Sequence, residues 1–489
     1  MADKSHFINN VWSAGIGTDM TSNNPASGQT VWQGKAATDS EVDLAVRTAA
    51  KAFECWVDSD YKDRMRYLDI FGQRVVTNGE RLAELICEET GKPKWEASAE
   101  VNSVAAKIAI TLEAYQKRLK IIKHTESGFS SITSYRPLGV VAVLGPFNMP
   151  AHLPNGHIVP ALLAGNTVVF KPSSQTPSVA QFLVELWEAS GIPGGVINLL
   201  QGGSRTGQVL VQHPVVKGVF FTGSESTGKT IHRMLGGCPE KMLALEMGGN
   251  NPLIVHKVSN NQAAVYLTVV SAYITSGQRC SCARRLIVPT GSEGDTFLNC
   301  LVETVSKIRV GDYKQFPEPF MGPLISTGAA QDLLESQEKL LSQGARSLVE
   351  VKILNQNRAM LSPGIIDVTS VKKREDKEIF GPLLQLIRVS DFDSAIAEAN
   401  NTRFGLTAGL FSDDHDCYSA FFHKIRTGVV NRNRQTTGAS SRLPFGGTGA
   451  SGNHRPGGYF TIDYCAYPVA SMESESVTIP QTILPGIQI

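Results

Sequence analysis

Apolar positions recur in distinct rhythms along the chain, and each rhythm predicts a different kind of element. Residues 7–35 carry short apolar pieces around turn clusters such as Asn23-Asn24-Pro25-Ala26-Ser27-Gly28, which predict small hairpins. Thr38 followed by Glu41 has capping-box spacing. Behind it, Val42, Ala45, Val46, Ala49, Phe53 and Trp56 fall on one helical face. Helical patterning continues to about residue 120, broken at Gly91-Lys92-Pro93. From Tyr135 the pattern changes. Leu138–Leu144, Thr167–Phe170, Val196–Leu200, Val219–Phe221 and Met242–Leu245 are short, near-continuous apolar runs. Helix-patterned segments separate them, including Ser178–Ala189, closed by Gly191 and Pro193. This alternation predicts βαβ units and a parallel sheet buried on both faces, a doubly wound domain of nucleotide-binding style.

A second α/β region follows. Asn260–Ser276 reads as a long helix leading into Cys280, followed by the apolar run Leu286–Val288. Helices are predicted near 293–308 and 327–343, with further apolar runs at 383–389 and 406–411. After Val429-Val430 the chain is rich in Gly, Arg and polar residues through Gly458. That is a long ordered loop, which in a compact domain is more often functional than not. Past Ser471 the patterning weakens, so the tail is either an arm on another subunit or a frayed end. The Gly91-Lys92 pair lacks the rest of a phosphate loop and is given no function.

Length and composition narrow the class. At 489 residues the chain exceeds the size at which one core stops growing, so two or three domains are expected. A net charge of +1 gives no reason to expect nucleic acid or an anionic membrane as partner. The N-terminal residues lack the apolar core of a signal peptide, and no apolar run approaches the roughly 18 residues that span a bilayer. A soluble, cytoplasmic protein is expected. Eight cysteines without a framework spacing read as reduced thiols.

Several stretches could carry chemistry. Gly277-Gln278-Arg279-Cys280-Ser281-Cys282 puts a thiol in a small-residue bend between two apolar elements. A nucleophilic cysteine needs that access and a base within reach, whereas the bland reading is a buried, inert thiol. Cys280-x-Cys282 lacks companion ligands at metal spacing, so no metal is expected. Phe221-Thr222-Gly223-Ser224-Glu225-Ser226-Thr227-Gly228 follows a strand and opens a helix, where backbone amides can meet a pyrophosphate, or form an ordinary capped turn. Lys171, in Phe170-Lys171-Pro172-Ser173-Ser174, ends a strand and can reach a ribose or phosphate, or merely be solvated. Asn148 in Pro146-Phe147-Asn148-Met149-Pro150 has the pinned amide that an oxyanion hole requires, although a plain turn uses the same residues. Glu246, in Leu245-Glu246-Met247-Gly248-Gly249, sits at the close of an apolar strand. There a partly buried carboxyl has a raised pKa and can serve as a base, or can accept backbone bonds in a tight turn. Glu378 and Phe380, in Lys377-Glu378-Ile379-Phe380-Gly381-Pro382, say little alone.

Taken in order, seven stretches resemble the aldehyde dehydrogenase superfamily: PFNMP at 146–150, FKPS at 170–173, FTGSESTG at 221–228, LEMGGNNP at 245–252, GQRC at 277–280, EIFGP at 378–382 and PFGGTGASG at 444–452. The resemblance covers nearly the whole chain. It implies an α/β fold with a Rossmann-type cofactor domain (1–118 and 138–248), an α/β catalytic domain (249–460), and a small β oligomerisation element with a C-terminal tail (119–137 and 461–489). It implies Cys280 as nucleophile, Glu246 as general base and Asn148 as oxyanion donor. Lys171 and Ser174 would face the adenosine ribose, Gly223, Ser224, Glu225, Ser226, Thr227 and Gly228 the pyrophosphate, and Glu378 with Phe380 the nicotinamide ribose. The partner implied is a small aldehyde, the cofactor NAD, and the assembly a homodimer or homotetramer. Many members carry an acidic residue where Ser174 stands, so NADP use becomes possible. The usual lysine of the glycine turn is Asn250 here.

Four further stretches, His152–Pro160, Gln278–Arg285, Gly449–Pro456 and Asp463–Ser471, are similar to a branch of the superfamily acting on succinylated glutamate semialdehyde in bacterial arginine breakdown. Such a substrate carries two carboxylates and calls for cationic or hydrogen-bonding groups near the thiol. Arg279, His152 and His454 are the candidates. Arg432, Arg434, Arg442 and Arg455 lie in the same Gly-rich loop, each individually a solvated charge by default. Another semialdehyde dehydrogenase, or a relative passing its thioester to coenzyme A, is the alternative. Glu246 argues against the latter, because thiol transfer needs no water-activating base.

Overall fold

In the computed structural model, which describes residues 4–126, 128–354, 357–479 and 482–489, the strand Val140–Leu144 shows why the apolar runs are continuous. Val140, Ala142 and Leu144 join the core on one face of the sheet, and Val141 and Val143 join the core on the other. Successive strand side chains point to opposite faces, so a strand covered on both sides has no polar positions to spare. Five parallel strands, Val140–Leu144, Thr167–Lys171, Ile197–Leu199, Val216–Gly223 and Met242–Met247, make this sheet. The hairpin His6–Ile8 and Val11–Ser13 extends it antiparallel. The helix Asp39–Trp56 covers one face and carries the full capping box predicted from Thr38 and Glu41. Helices Tyr61–Thr77, Lys94–Arg118, His152–Leu163 and Pro177–Glu188 cover the other.

A second seven-stranded sheet begins at Asn251–Val255 and continues through Ala283–Pro289, Leu383–Val389, Thr407–Phe411 and Val429–Arg432, all parallel. It divides its side chains in the same way: Ile254 and Ile287 enter one core, Leu253, Val255, Leu286 and Val288 the other. The expected divide at 248/249 falls in the turn between the last strand of the first sheet and the first of the second. Ile122–Glu126, Phe129–Pro137 and Ala466–Glu473 pair into a separate antiparallel sheet, which brings the segments around 119–137 and 461–473 together. Its outer strand Ile122–Glu126 is exposed throughout. Met1 to Asp3 of the N-terminal stretch lie outside the described residues. Among the described residues no helix is long and apolar enough to cross a membrane.

One element differs from the sequence pattern. The helix predicted over Asn260–Ser276 ends at Tyr273, and the chain tightens into a 3₁₀ turn, Ile274–Gly277. Thr275 and Ser276 there take φ of 55° and 53°, unusual for residues with side chains. Tertiary hydrogen bonds hold them: Thr275 Oγ1 donates to the Glu96 carboxylate, and Ser276 Oγ donates to Gly322 O at 2.7 Å. Gly277 follows at φ 72°, where a Cβ would overlap the Gly381 carbonyl. Strain of this kind persists where surrounding contacts over-determine the backbone. Here it turns the chain sharply just ahead of Cys280.

Candidate active site

Two cavities meet at Asn148, Glu246 and Cys280, which line both. One, of about 200 Å³, opens between the helices Lys94–Arg118 and His152–Leu163 and the loop from Thr437 to Thr461. The other, of about 710 Å³, runs past Gly223, Ser224, Glu378 and Phe380. It shares Gly145, Ser173, Phe221 and Thr227 with a third hollow of about 440 Å³ that Lys171, Ser174 and Ser226 line.

Cys280 is set by its neighbours rather than by its own loop. Asn251 Nδ2 donates to the Cys280 carbonyl at 2.6 Å and to that of Cys282 at 2.9 Å. Arg284, fully buried, donates to the carbonyls of Gly277 at 2.5 Å and Arg279 at 2.8 Å. Glu246 Oε1 lies 3.9 Å from the Cys280 sulfur. Burial, and then the Glu246 charge, push the Cys280 thiol well above its ordinary range. Burial also pushes the Glu246 carboxyl up to about 8. Cys280 therefore holds its proton as a thiol, and the Glu246 carboxyl is a stronger base than a solvated carboxylate. Asn148 Nδ2 donates to Gln278 O at 2.9 Å, leaving its second amide hydrogen for a ligand. Among the described residues, the Cys280 N–H donates to no backbone carbonyl. Two N–H groups beside the sulfur form an arrangement that can receive an oxyanion.

The long groove fits a dinucleotide. Ser224 caps the helix Glu225–Met234 and accepts from Thr227 N, so the N-terminal end of that helix faces the cavity near Gly223. Lys171 Nζ donates to Pro172 O and Gly202 O, which leaves its third hydrogen for a ligand; burial pulls its pKa down to about 8. Glu378 is partly buried; desolvation pushes its carboxyl up to about 7, and it accepts from Gly249 N at 3.2 Å. A Cβ at Gly248 would overlap its carboxylate, which explains the glycine. Phe380 meets Phe147 edge-on, ring centroids 5.9 Å apart.

Not every expected residue reaches the site. Glu225 lines none of these cavities and pairs instead with Lys229 and Arg403. Gly228 is buried under Met247, so its part is packing. His454 is exposed at φ 62° and lines neither cavity beside Cys280. His152 lines the smaller cavity, but burial lowers its pKa to about 4, so it is neutral there rather than cationic. Arg279 lines it too, with its charge already matched by buried Glu96 at 2.8 Å. Arg442 pairs with Glu113. Sequence reading missed Asn251 and Arg284. The signal for Arg284 was available: an arginine inside the apolar strand Ala283–Pro289 needs a buried reason to be there. All eight cysteines are unpaired, and among the described residues no cluster of three metal-ligating side chains occurs.

A thiol, a basic carboxyl and two free N–H groups thus meet at the end of a long groove. The sequence profile of the aldehyde dehydrogenase family matches residues 12–468. The chain belongs to that family. It is 50% identical over 483 residues, 99% of both chains, to an N-succinylglutamate 5-semialdehyde dehydrogenase of Ectopseudomonas mendocina. Among solved aldehyde dehydrogenase structures, an NADP-dependent glyceraldehyde-3-phosphate dehydrogenase from Bacillus halodurans, complexed with NADP, superposes at a TM-score of 0.91. It shares 28% identity over 97% of this chain and 100% of that one. A betaine aldehyde dehydrogenase from Staphylococcus aureus, in complex with NAD+, gives 0.91 at 26% identity, covering 98% and 97%. The family's α/β architecture thus extends across the whole aldehyde dehydrogenase chain described above.

Proposed function

We propose that this aldehyde dehydrogenase oxidises N-succinyl-L-glutamate 5-semialdehyde to N-succinyl-L-glutamate, in arginine breakdown by the succinyltransferase route. The observation that carries the chemistry is Cys280 at the junction of the two cavities, with Glu246 3.9 Å away. The full-length 50% identity to an enzyme of that name supports the substrate. Cys280 gives up its proton to solvent, and the thiolate adds to the aldehyde carbon. The oxyanion formed is received by Asn148 Nδ2 and the Cys280 N–H. A nicotinamide dinucleotide, when bound, supplies the hydride acceptor. Collapse of the thiohemiacetal leaves a thioester on Cys280. Glu246, in its ionised form, then removes a proton from water, and hydroxide attack frees the carboxylate product and the thiol.

The cofactor reading is NAD, on the subfamily resemblance. NADP use is the alternative, supported by a hollow around Lys171 and Ser174 that no carboxylate lines among the described residues. A homodimer or homotetramer is proposed to form through the antiparallel sheet that exposes Ile122, Tyr467 and Met472. Steady-state rates with N-succinylglutamate, succinate and glutamate semialdehydes, each with NAD and NADP, test the assignment. The highest kcat/KM is expected for the succinylglutamate compound, and no advantage for it would overturn the substrate. Light scattering of the purified protein tests the assembly; a monomer would overturn that part.

A further inference from the structure

The helix Lys94–Arg118 buries charged side chains along the stripe that faces the site. Glu96, Glu100 and Lys107 are all nearly inaccessible. Two of the three have a counter-charge. Glu96 Oε1 lies 2.8 Å from Arg279, and Glu100 Oε2 lies 2.6 Å from Lys92 Nζ, while Glu100 Oε1 also accepts from the amides of Ala151 and His152. Lys107 has none. Its Nζ donates to the Gly458 carbonyl at 2.7 Å, and among the described residues no carboxylate lies within 4.0 Å of it. Burial pulls its pKa down to about 8, and the one charge-bearing neighbour that opposes this is the Cys465 thiol. Glu246 is not a partner, because no cation figures among the causes of its raised pKa.

A buried ammonium without a counter-charge is costly unless a ligand completes it. Lys107 lines the same small cavity as Cys280, beside Ser103, which lies one turn back on the same helical face. The cavity's other cation, Arg279, is already neutralised by Glu96. We propose that the Lys107 ammonium is the counter-charge for a substrate carboxylate, and so sets the enzyme's preference for acidic over uncharged aldehydes. This deepens the functional reading above and rests on it, since it requires a carboxylate-bearing aldehyde to enter the cavity.

The test compares wild type with Lys107→Met, Lys107→Gln and Lys107→Arg. The readout is the ratio of kcat/KM for N-succinylglutamate semialdehyde to that for an uncharged aldehyde of similar length. A charge-assisted hydrogen bond of its kind corresponds to a drop in that ratio of about 10- to 100-fold for Met and Gln. Lys107→Arg, which keeps the charge, should retain most of the ratio. Calorimetric binding of N-succinylglutamate itself, without turnover, should weaken by a similar factor in Met and Gln. An equal loss on charged and uncharged aldehydes would make Lys107 a mere anchor for Gly458 and overturn the proposal. In wild type, N-succinylglutamate should bind more tightly than its carboxamide analogues; equal binding would also overturn it, even if every variant failed to fold. If wild type prefers a different acidic semialdehyde and the ratio still collapses without Lys107, the substrate assignment fails and the role of Lys107 stands.

Discussion

Replacing Glu246 by Gln removes the proposed base while keeping the side chain's shape, and the raised pKa of Glu246 sets what the pH profile should then lose. Burial holds the Glu246 carboxyl near 8. Its ionised, basic fraction is therefore about one-tenth at pH 7, about one-half at pH 8 and about nine-tenths at pH 9. While the thioester stands, Cys280 carries no titratable proton, so hydrolysis of the acyl enzyme reports Glu246 without its coupled partner. Loss of the Cys280 hydrogen bond, which lowers the carboxyl in the free enzyme, keeps its pKa at or above about 8, so the wild-type deacylation rate should rise at least about fivefold from pH 7 to pH 8. Activity is lost as pH falls through the raised pKa, because the protonated carboxyl cannot accept a proton from water. In Glu246→Gln that limb disappears and the rate falls by about 10²- to 10⁴-fold, the usual share of a positioned base. Rapid-mixing measurement of reduced-cofactor formation separates the two stages: a burst survives in the variant, followed by a slow or absent steady state. A Glu246→Gln enzyme that deacylates at the wild-type rate, or a wild-type profile flat between pH 6 and 9, would refute the reasoning.

Three further outcomes follow from the same geometry. Asn148→Ala removes an oxyanion donor and should lower kcat by about 10²- to 10³-fold with little change in KM, read from steady-state rates. Ser174→Glu places a carboxylate in a hollow that now has none. It should cut kcat/KM for NADP relative to NAD by about tenfold or more through like-charge repulsion; an unchanged ratio would remove Ser174 from the ribose site. Glu96→Gln leaves Arg279 charged, largely buried and unmatched. It should reduce unfolding free energy by about 3 kcal/mol in denaturant titration, with part of that loss recovered in the double variant with Arg279→Met.

Much of the scaffold is legible in the chain because the physics that buries it is local. Parallel strands covered on both faces are apolar at nearly every position, so Val140–Leu144 and Val168–Phe170 stand out as continuous runs. Thr38 and Glu41 carry their cap in four residues. Cys280, Glu246 and Asn148 stand out only as members of an ordered set of motifs. What stays hidden depends on partners far away in the chain. The helix before Cys280 stops at Tyr273 because Glu96 and Gly322 hold Thr275 and Ser276 in a left-handed turn, and no local pattern announces that. Lys107 sits among the charges of a long helix and reads as part of a solvated face until the loop carrying Gly458 closes over it. His454 is the converse case, a polar residue in a motif-rich loop whose backbone turns it out to solvent.

The account's central claim is that substrate carbon becomes bonded to the Cys280 sulfur and is freed by Glu246. Mass spectrometry of acid-quenched, proteolysed Glu246→Gln enzyme, after reaction with N-succinylglutamate semialdehyde and NAD, tests it most directly. The predicted result is an N-succinylglutamyl adduct confined to the Cys280 peptide, absent from the Cys280→Ser, Glu246→Gln double variant. An adduct on another cysteine, or turnover persisting in Cys280→Ser, would contradict it.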